Sequence, residues 1–133
     1  MVYKHIVMWK FKEQHNGKSA LENARWMKEQ LEALVGVVPE LLSAEVGISP
    51  ALEQAAAVQS NAAAAPSNAA APSNAAAAPA QAASGEYDAC LVSTFASPEA
   101  LAAYKVHPKH KAISAYCKEA RLKRLAFDWW SEE

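Results

Sequence analysis

Three side chains in this sequence pair proton-transfer chemistry with positions that a fold could bring together: His5, Tyr104 and His110. His5 lies on a strand face otherwise made of Tyr3, Val7, Trp9 and Phe11. An imidazole with a reference pKa of about 6.5 is a general base near neutral pH. Under a second helix, His5 would meet Tyr104 and His110 in a pocket. There His110 would take a proton from the carbon beside a carbonyl. Tyr104 would donate a hydrogen bond to the enolate or hold the substrate, and His5 would orient or bind a carbonyl oxygen. Each residue also has a plainer reading. His5 and His110 would serve packing through a hydrogen bond, and Tyr104, three residues from Leu101, would be a core aromatic. An enzyme needs the three to converge on a solvent-connected cavity of about 300 Å³ or more. In a structural protein they would bond to one another or to backbone, and Trp9, Trp26 or Phe95 would fill the space.

Other chemistry has weaker support. His107 and His110 with His5 could form a three-histidine metal site, but no carboxylate or cysteine stands at ligand spacing and Pro108 spoils the helical geometry. His107 is better read as a cap where Pro108 breaks the helix. The glycines at 17, 36, 47 and 85 are scattered and make no phosphate loop. No cofactor is expected. From Lys105 to Arg124 seven basic residues stand against Glu119 alone, an excess that either attracts a small anionic ligand or forms a solvated helix face.

Composition bounds the rest. The chain has 133 residues, with 13 Lys and Arg against 14 Asp and Glu. That is one domain with a modest core, and the near balance of charge argues against a nucleic-acid partner. No run of strongly apolar residues is long enough to span a membrane. Two cysteines, Cys90 and Cys117, do not make a disulfide framework, so a reduced, cytoplasmic protein is expected. Residues 51–83 hold 18 alanines, and Ser-Asn-Ala runs ending at Pro66, Pro72 and Pro79 repeat within them. Prolines at that interval interrupt helix, so about 50–85 is expected to be a disordered or weakly helical insertion in a single domain spanning 1–133.

The elements that must position the chemistry follow a β-α-β-β-α-β order. Val2–Phe11 is a strand with an apolar middle on both faces. Ser19 and Glu22 open a helix from Ala20 to about Val35, which Gly36 ends. Strands are expected at Leu41–Ile48 and Tyr87–Phe95, with the insertion between them. Ser97-Pro98-Glu99 starts a second helix, interrupted at His107-Pro108 and resumed through Cys117. Leu122–Trp130 is the final strand. This α+β order is the ferredoxin-like pattern. Two helices cover one face of a four-stranded sheet, so the other face, with Ile6, Met8, Cys90 and Val92, is expected at a homodimer interface, with Trp129 and Trp130 either both anchors there or one in the core and the other at the contact.

Several segments resemble the stress-responsive dimeric α/β-barrel (Dabb) family. They are Tyr3-Lys4-His5-Ile6-Val7-Met8-Trp9-Lys10, Tyr87–Phe95, Tyr104-Lys105-Val106-His107-Pro108-Lys109-His110 with its Tyr-x-x-His-Pro-x-His signature, and Phe127-Asp128-Trp129. The resemblance covers everything but the insertion. It implies a ferredoxin-like dimeric α/β barrel, a homodimer, and a stress-related or small-molecule-binding role without an established reaction. One relative, the plant olivetolic acid cyclase, closes a polyketide by a cofactor-free aldol condensation. Its catalytic positions correspond to His5, Tyr104 and His110. The alternative implied is therefore a cofactor-independent cyclase acting on a small, carbonyl-rich molecule.

Overall fold

A computed structural model describes residues 1–60 and 86–132. Strand β1 (Val2–Phe11) leads into a short hairpin, β2 (Gln14–His15) and β3 (Lys18–Ser19), and then helix α1 (Ala20–Glu32). Strand β4 (Ser43–Ile48), helix α2 (Pro50–Ser60), strand β5 (Ala89–Phe95), helices α3 (Pro98–Val106) and α4 (Pro108–Ala120), and strand β6 (Arg121–Ser131) complete the chain. The four long strands form one sheet in the order β4-β5-β1-β6, every neighbouring pair antiparallel. This is the expected ferredoxin-like order, with β1 in the interior of the sheet.

Local chemistry explains the boundaries. The Ser19 hydroxyl accepts from the Glu22 N–H at 3.1 Å while the Glu22 carboxylate accepts from the Ser19 N–H at 2.9 Å, a reciprocal cap for α1. Asn16 and Gly17 both have positive φ, 58° and 74°, the backbone of a two-residue hairpin turn that the hydrophobic periodicity does not disclose. His107 separates α3 from α4 with extended backbone, φ −64° and ψ 136°, as a residue before proline prefers. Its N–H donates to the Tyr104 carbonyl, and its ring accepts from the Lys109 N–H at 3.1 Å. The expected capping role of His107 is met on both sides of the break.

The insertion, expected to be disordered or weakly helical, starts as a regular helix: its first eleven residues, Pro50–Ser60, form α2. Proline spacing limits helix only from Pro66 onward, and Pro50 occupies a first-turn position where its missing N–H costs nothing. The Ser49 carbonyl accepts from Leu52 and Glu53, and Leu52 packs against the core. Residues 61–85, which include the proline repeats, lie outside the described residues. Among the described residues no helix is long and apolar enough to cross a membrane.

The core lies between one sheet face and the helices. Val7, Trp9 and Phe11 meet Ala24, Met27 and Leu31 of α1, while Phe95 meets Leu101 and Tyr104 of α3 in the same buried cluster. The other face carries Ile6, Met8, Cys90 and Val92 beside Leu125 and Phe127. There Phe127 is 64% exposed, Leu125 50% and Val92 36%. Trp129 stacks on Phe127 on this open face, while Trp130 packs edge-on against Tyr3 on the helix side.

Asp88 ties the end of β1 to β5. Its buried carboxylate accepts from the Phe11 N–H at 2.9 Å and from Lys10 Nζ at 3.3 Å. Replacing Asp88 with Ala leaves that amide buried without an acceptor, so the variant should lose about 2 kcal/mol of stability in urea denaturation. An unchanged midpoint would show that the bond is dispensable.

Candidate functional site

His5 points from β1 toward the helices because alternate residues of a strand share a face, and it is 3% exposed. The β1–β6 register sets Asp128 opposite it, and His5 Nδ1 lies 2.5 Å from Asp128 Oδ1. An ionised carboxylate only accepts, so Nδ1 carries the hydrogen and Nε2 keeps its lone pair. Burial lowers the His5 pKa below 6.5; the bond to Asp128 opposes the shift, and Lys105 and Arg124 add to it.

His110 stands in the first turn of α4. The break at His107 folds that turn back on the end of α3, where His110 Nδ1 lies 3.2 Å from the Lys105 carbonyl oxygen. A carbonyl cannot donate, so here too Nδ1 carries the hydrogen and Nε2 is the free nitrogen. Burial again lowers the pKa, with further repulsion from His5, Arg124 and Lys105 against the carbonyl's favourable effect. Both rings are therefore held neutral near pH 7, each with its tautomer set by a neighbour.

The two histidines line one cavity of about 230 Å³. Val7, Trp9 and Leu91 of the sheet, Leu31 of α1 and Ile113 and Cys117 of α4 supply its apolar walls, and Lys105, Arg121 and Arg124 supply cations. The space is smaller than the 300 Å³ benchmark but is not filled by the aromatic residues that a packed interior would use. Trp26 lies instead against Tyr116, with ring centroids 4.6 Å apart. Phe95 stands between His5 and Tyr104, at 6.5 and 5.1 Å. The buried Cys117 thiol is pushed up to about 12, which removes it as a nucleophile at neutral pH.

Tyr104 sits behind this cavity and is not among its lining residues. It is fully buried, its ring centroid 4.3 Å from that of His110. Its hydroxyl makes no hydrogen bond among the described residues, and burial raises its pKa well above the ordinary range. The structure thus brings His5 and His110 to one cavity and sets Tyr104 against His110 as support. Sequence reasoning passed over Asp128 as a partner. Its signals were an acid in the last strand and the Phe127-Asp128-Trp129 segment, and its role as a partner depends on a register between residues 123 apart. Among the described residues no group of three or more His, Cys, Asp or Glu could hold a metal.

Comparison with solved structures finds the same fold in several proteins. A dimeric, ferredoxin-like protein of unknown function from Bacteroides fragilis has a TM-score of 0.65 at 20% identity, covering 98% of this chain and 96% of its own. A hydroxynitrile lyase from Passiflora edulis has a TM-score of 0.63 at 15% identity, covering 99% and 95%. A Dabb family protein with a ferredoxin-like fold from Mesorhizobium loti has a TM-score of 0.57 at 14% identity, covering 99% and 98%. Among curated proteins, none matches this sequence. The model of the Stress responsive A/B Barrel Domain matches residues 3–64 and 74–131. With most of its length matched, the chain belongs to the stress-responsive A/B barrel (Dabb) family.

Proposed function

We propose that the protein is a homodimer, paired through its open sheet face, whose helix-side cavity binds a small carbonyl compound. The observation that carries this reading is the one cavity lined by both His5 and His110, each with Nδ1 engaged by a neighbour, so that the Nε2 lone pairs are free to accept a hydrogen such as the acidic C–H beside a carbonyl. The dimer rests on the apolar face around Phe127 and Leu125 and on dimeric structural relatives such as the Bacteroides fragilis protein. A cytoplasmic setting fits Cys90 and Cys117, which are free thiols.

The second reading adds proton abstraction, and the Asp128 contact favours it. A carboxylate behind an imidazole orients the ring and stabilises the imidazolium that forms. That makes His5 a better proton acceptor than His110, which is backed by a neutral carbonyl. Neither Nε2 carries a hydrogen in the neutral tautomer, so neither ring can bind a carbonyl oxygen before a proton has been transferred. In this scheme His5 Nε2 takes the proton from the carbon beside a carbonyl, leaving an enolate. The enolate carbon attacks a second carbonyl of the same molecule, a carbon–carbon bond forms, and the alkoxide recovers the proton from the His5 imidazolium. Atoms and charge balance without a cofactor. Tyr104 acts as a positioning residue, its ring holding that of His110.

Two results test these readings. Phe127→Asp places a charge in the centre of the proposed interface, and light scattering should show a dimer for the wild type and a monomer for the variant; a monomeric wild type would remove the interface. Deuterium uptake beside the carbonyl of levulinate, followed by NMR, should run at least tenfold above the buffer rate and fall to that rate in His5→Ala. Uptake should decline as pH falls below 6.5, because the lowered histidine pKa values keep the bases neutral above that point and protonation removes them below it. The same protonation favours the unfolded chain, so stability contributed by the neutral rings is present above pH 6.5 and lost as pH falls through the folded values. Equal uptake in wild type and His5→Ala would leave binding without proton abstraction.

A further inference from the structure

Lys105, Arg121 and Arg124 line the same cavity as the two histidines. They arrive from different elements: Lys105 from the end of α3, Arg121 and Arg124 from the start of β6, with Arg124 opposite Trp9 on the helix side. Four cations elsewhere have found carboxylates. Lys10 meets Asp88, Lys28 meets Glu32, Arg25 meets Glu53 and Lys123 meets Glu86, all within 4.0 Å. Among the described residues none of the three cavity cations has such a partner, and no Asp or Glu lines the cavity. Asp128, the acid that acts on Arg124, is already engaged by His5.

This arrangement is unfavourable by itself. Arg124 is exposed in part yet loses some hydration, which disfavours its charge, and Arg121 adds repulsion. Lys105 and Arg124 both disfavour protonation of His5 and His110. Three positive charges gathered around one cavity, with Lys105 and Arg124 exposed and no acid lining the space, form a site that an anion would stabilise. Guanidinium forks match a planar carboxylate through paired N–H donors. The volume favours the smaller anion. About 230 Å³ is roughly the space of eight waters at ~30 Å³ each, and the anion must share it with a carbonyl group placed at the histidines. A carboxylate leaves more of that room than the bulkier phosphate.

We propose that the cavity's ligand is a short oxo-carboxylic acid, its carboxylate held by Lys105, Arg121 and Arg124 and its carbonyl end placed at His5 and His110. The assignment rests on the reading of this cavity as a ligand site, and it makes the three cations the residues that select for charge. Of the cations that attract the carboxylate, Lys105 and Arg124 also add to the burial that keeps the histidines unprotonated.

Acetoacetate and acetylacetone test it, because they have the same number of non-hydrogen atoms and differ in charge. Binding is read from the ring C–H resonances of His5 and His110 in the full-length protein. Acetoacetate should bind at least about tenfold more tightly than acetylacetone, and added salt should narrow the gap. Arg124→Gln should remove about tenfold of acetoacetate affinity and leave acetylacetone unchanged. Lys105→Gln, on an exposed helix position, should reduce acetoacetate affinity in the same sense should the arginine variant fail to fold. Equal affinities for the two probes, insensitive to both substitutions, would overturn the anion assignment while keeping the cavity as a ligand site. Histidine resonances that move with neither probe would overturn both. Inorganic phosphate displacing acetoacetate more effectively than acetate does would overturn the choice of carboxylate.

Discussion

The register between β1 and β6 determines both what the cavity contains and what the open face presents. Val2 lies opposite Ser131, His5 opposite Asp128, Ile6 opposite Phe127 and Met8 opposite Leu125. Because side chains alternate along a strand, a slip of one residue would carry Asp128 away from His5 and turn Phe127 and Leu125 toward the helices. The slip would also carry Arg124 and Asp128 onto the face of Ile6 and Met8, which makes it costly. Val7 and Trp9 need the helices, and Ile6 and Met8 need an apolar surface on the other side. The same pairing therefore fixes the tautomer of a buried histidine and lays out the open apolar face.

Much of this was readable in the chain, for reasons that differ from element to element. The full extent of β1 follows from its alternation, and the start of α1 follows from a cap that involves only Ser19 and Glu22. The corner between α3 and α4 follows from His107-Pro108, where the restriction on the residue before proline acts locally. What escaped depends on distance along the chain or on a signal outside the hydrophobic pattern. The His5–Asp128 contact joins the first and last strands. The bond from His110 to the Lys105 carbonyl exists only because the corner folds back at a particular angle. Asn16-Gly17 is a turn signal in its own right, and apolar periodicity does not register it. Helix α2 shows a further limit, since the proline interval of 66–79 says nothing about the proline-free run before it. The histidines were legible as residue types, whereas the place of Tyr104 behind the cavity required the packing of α3 against Phe95.

The electrostatics of the site runs against stability and toward function. One imidazole is buried and a second half-buried where water would stabilise their charged forms better, and three cations line the same cavity with no acid among them. Natural folds retain such arrangements most often where charge is to be met by a ligand. The neutral state of the rings follows from burial and from that positive field together. Asp128 offsets part of the effect at His5 and a backbone carbonyl offsets part at His110, so the two rings are similar in charge but unequal as proton acceptors.

The most direct test of the account is a nitrogen-resolved NMR titration of the histidine rings. It reads the tautomer and the pKa of His5 and His110 in the unliganded protein. The account predicts that at pH 7 both rings are neutral with hydrogen on Nδ1, and that both titrate below 6.5. Hydrogen on Nε2 of either ring, or titration at or above 6.5, would contradict it, because the cavity would then lack the free lone pairs on which binding and proton transfer were built.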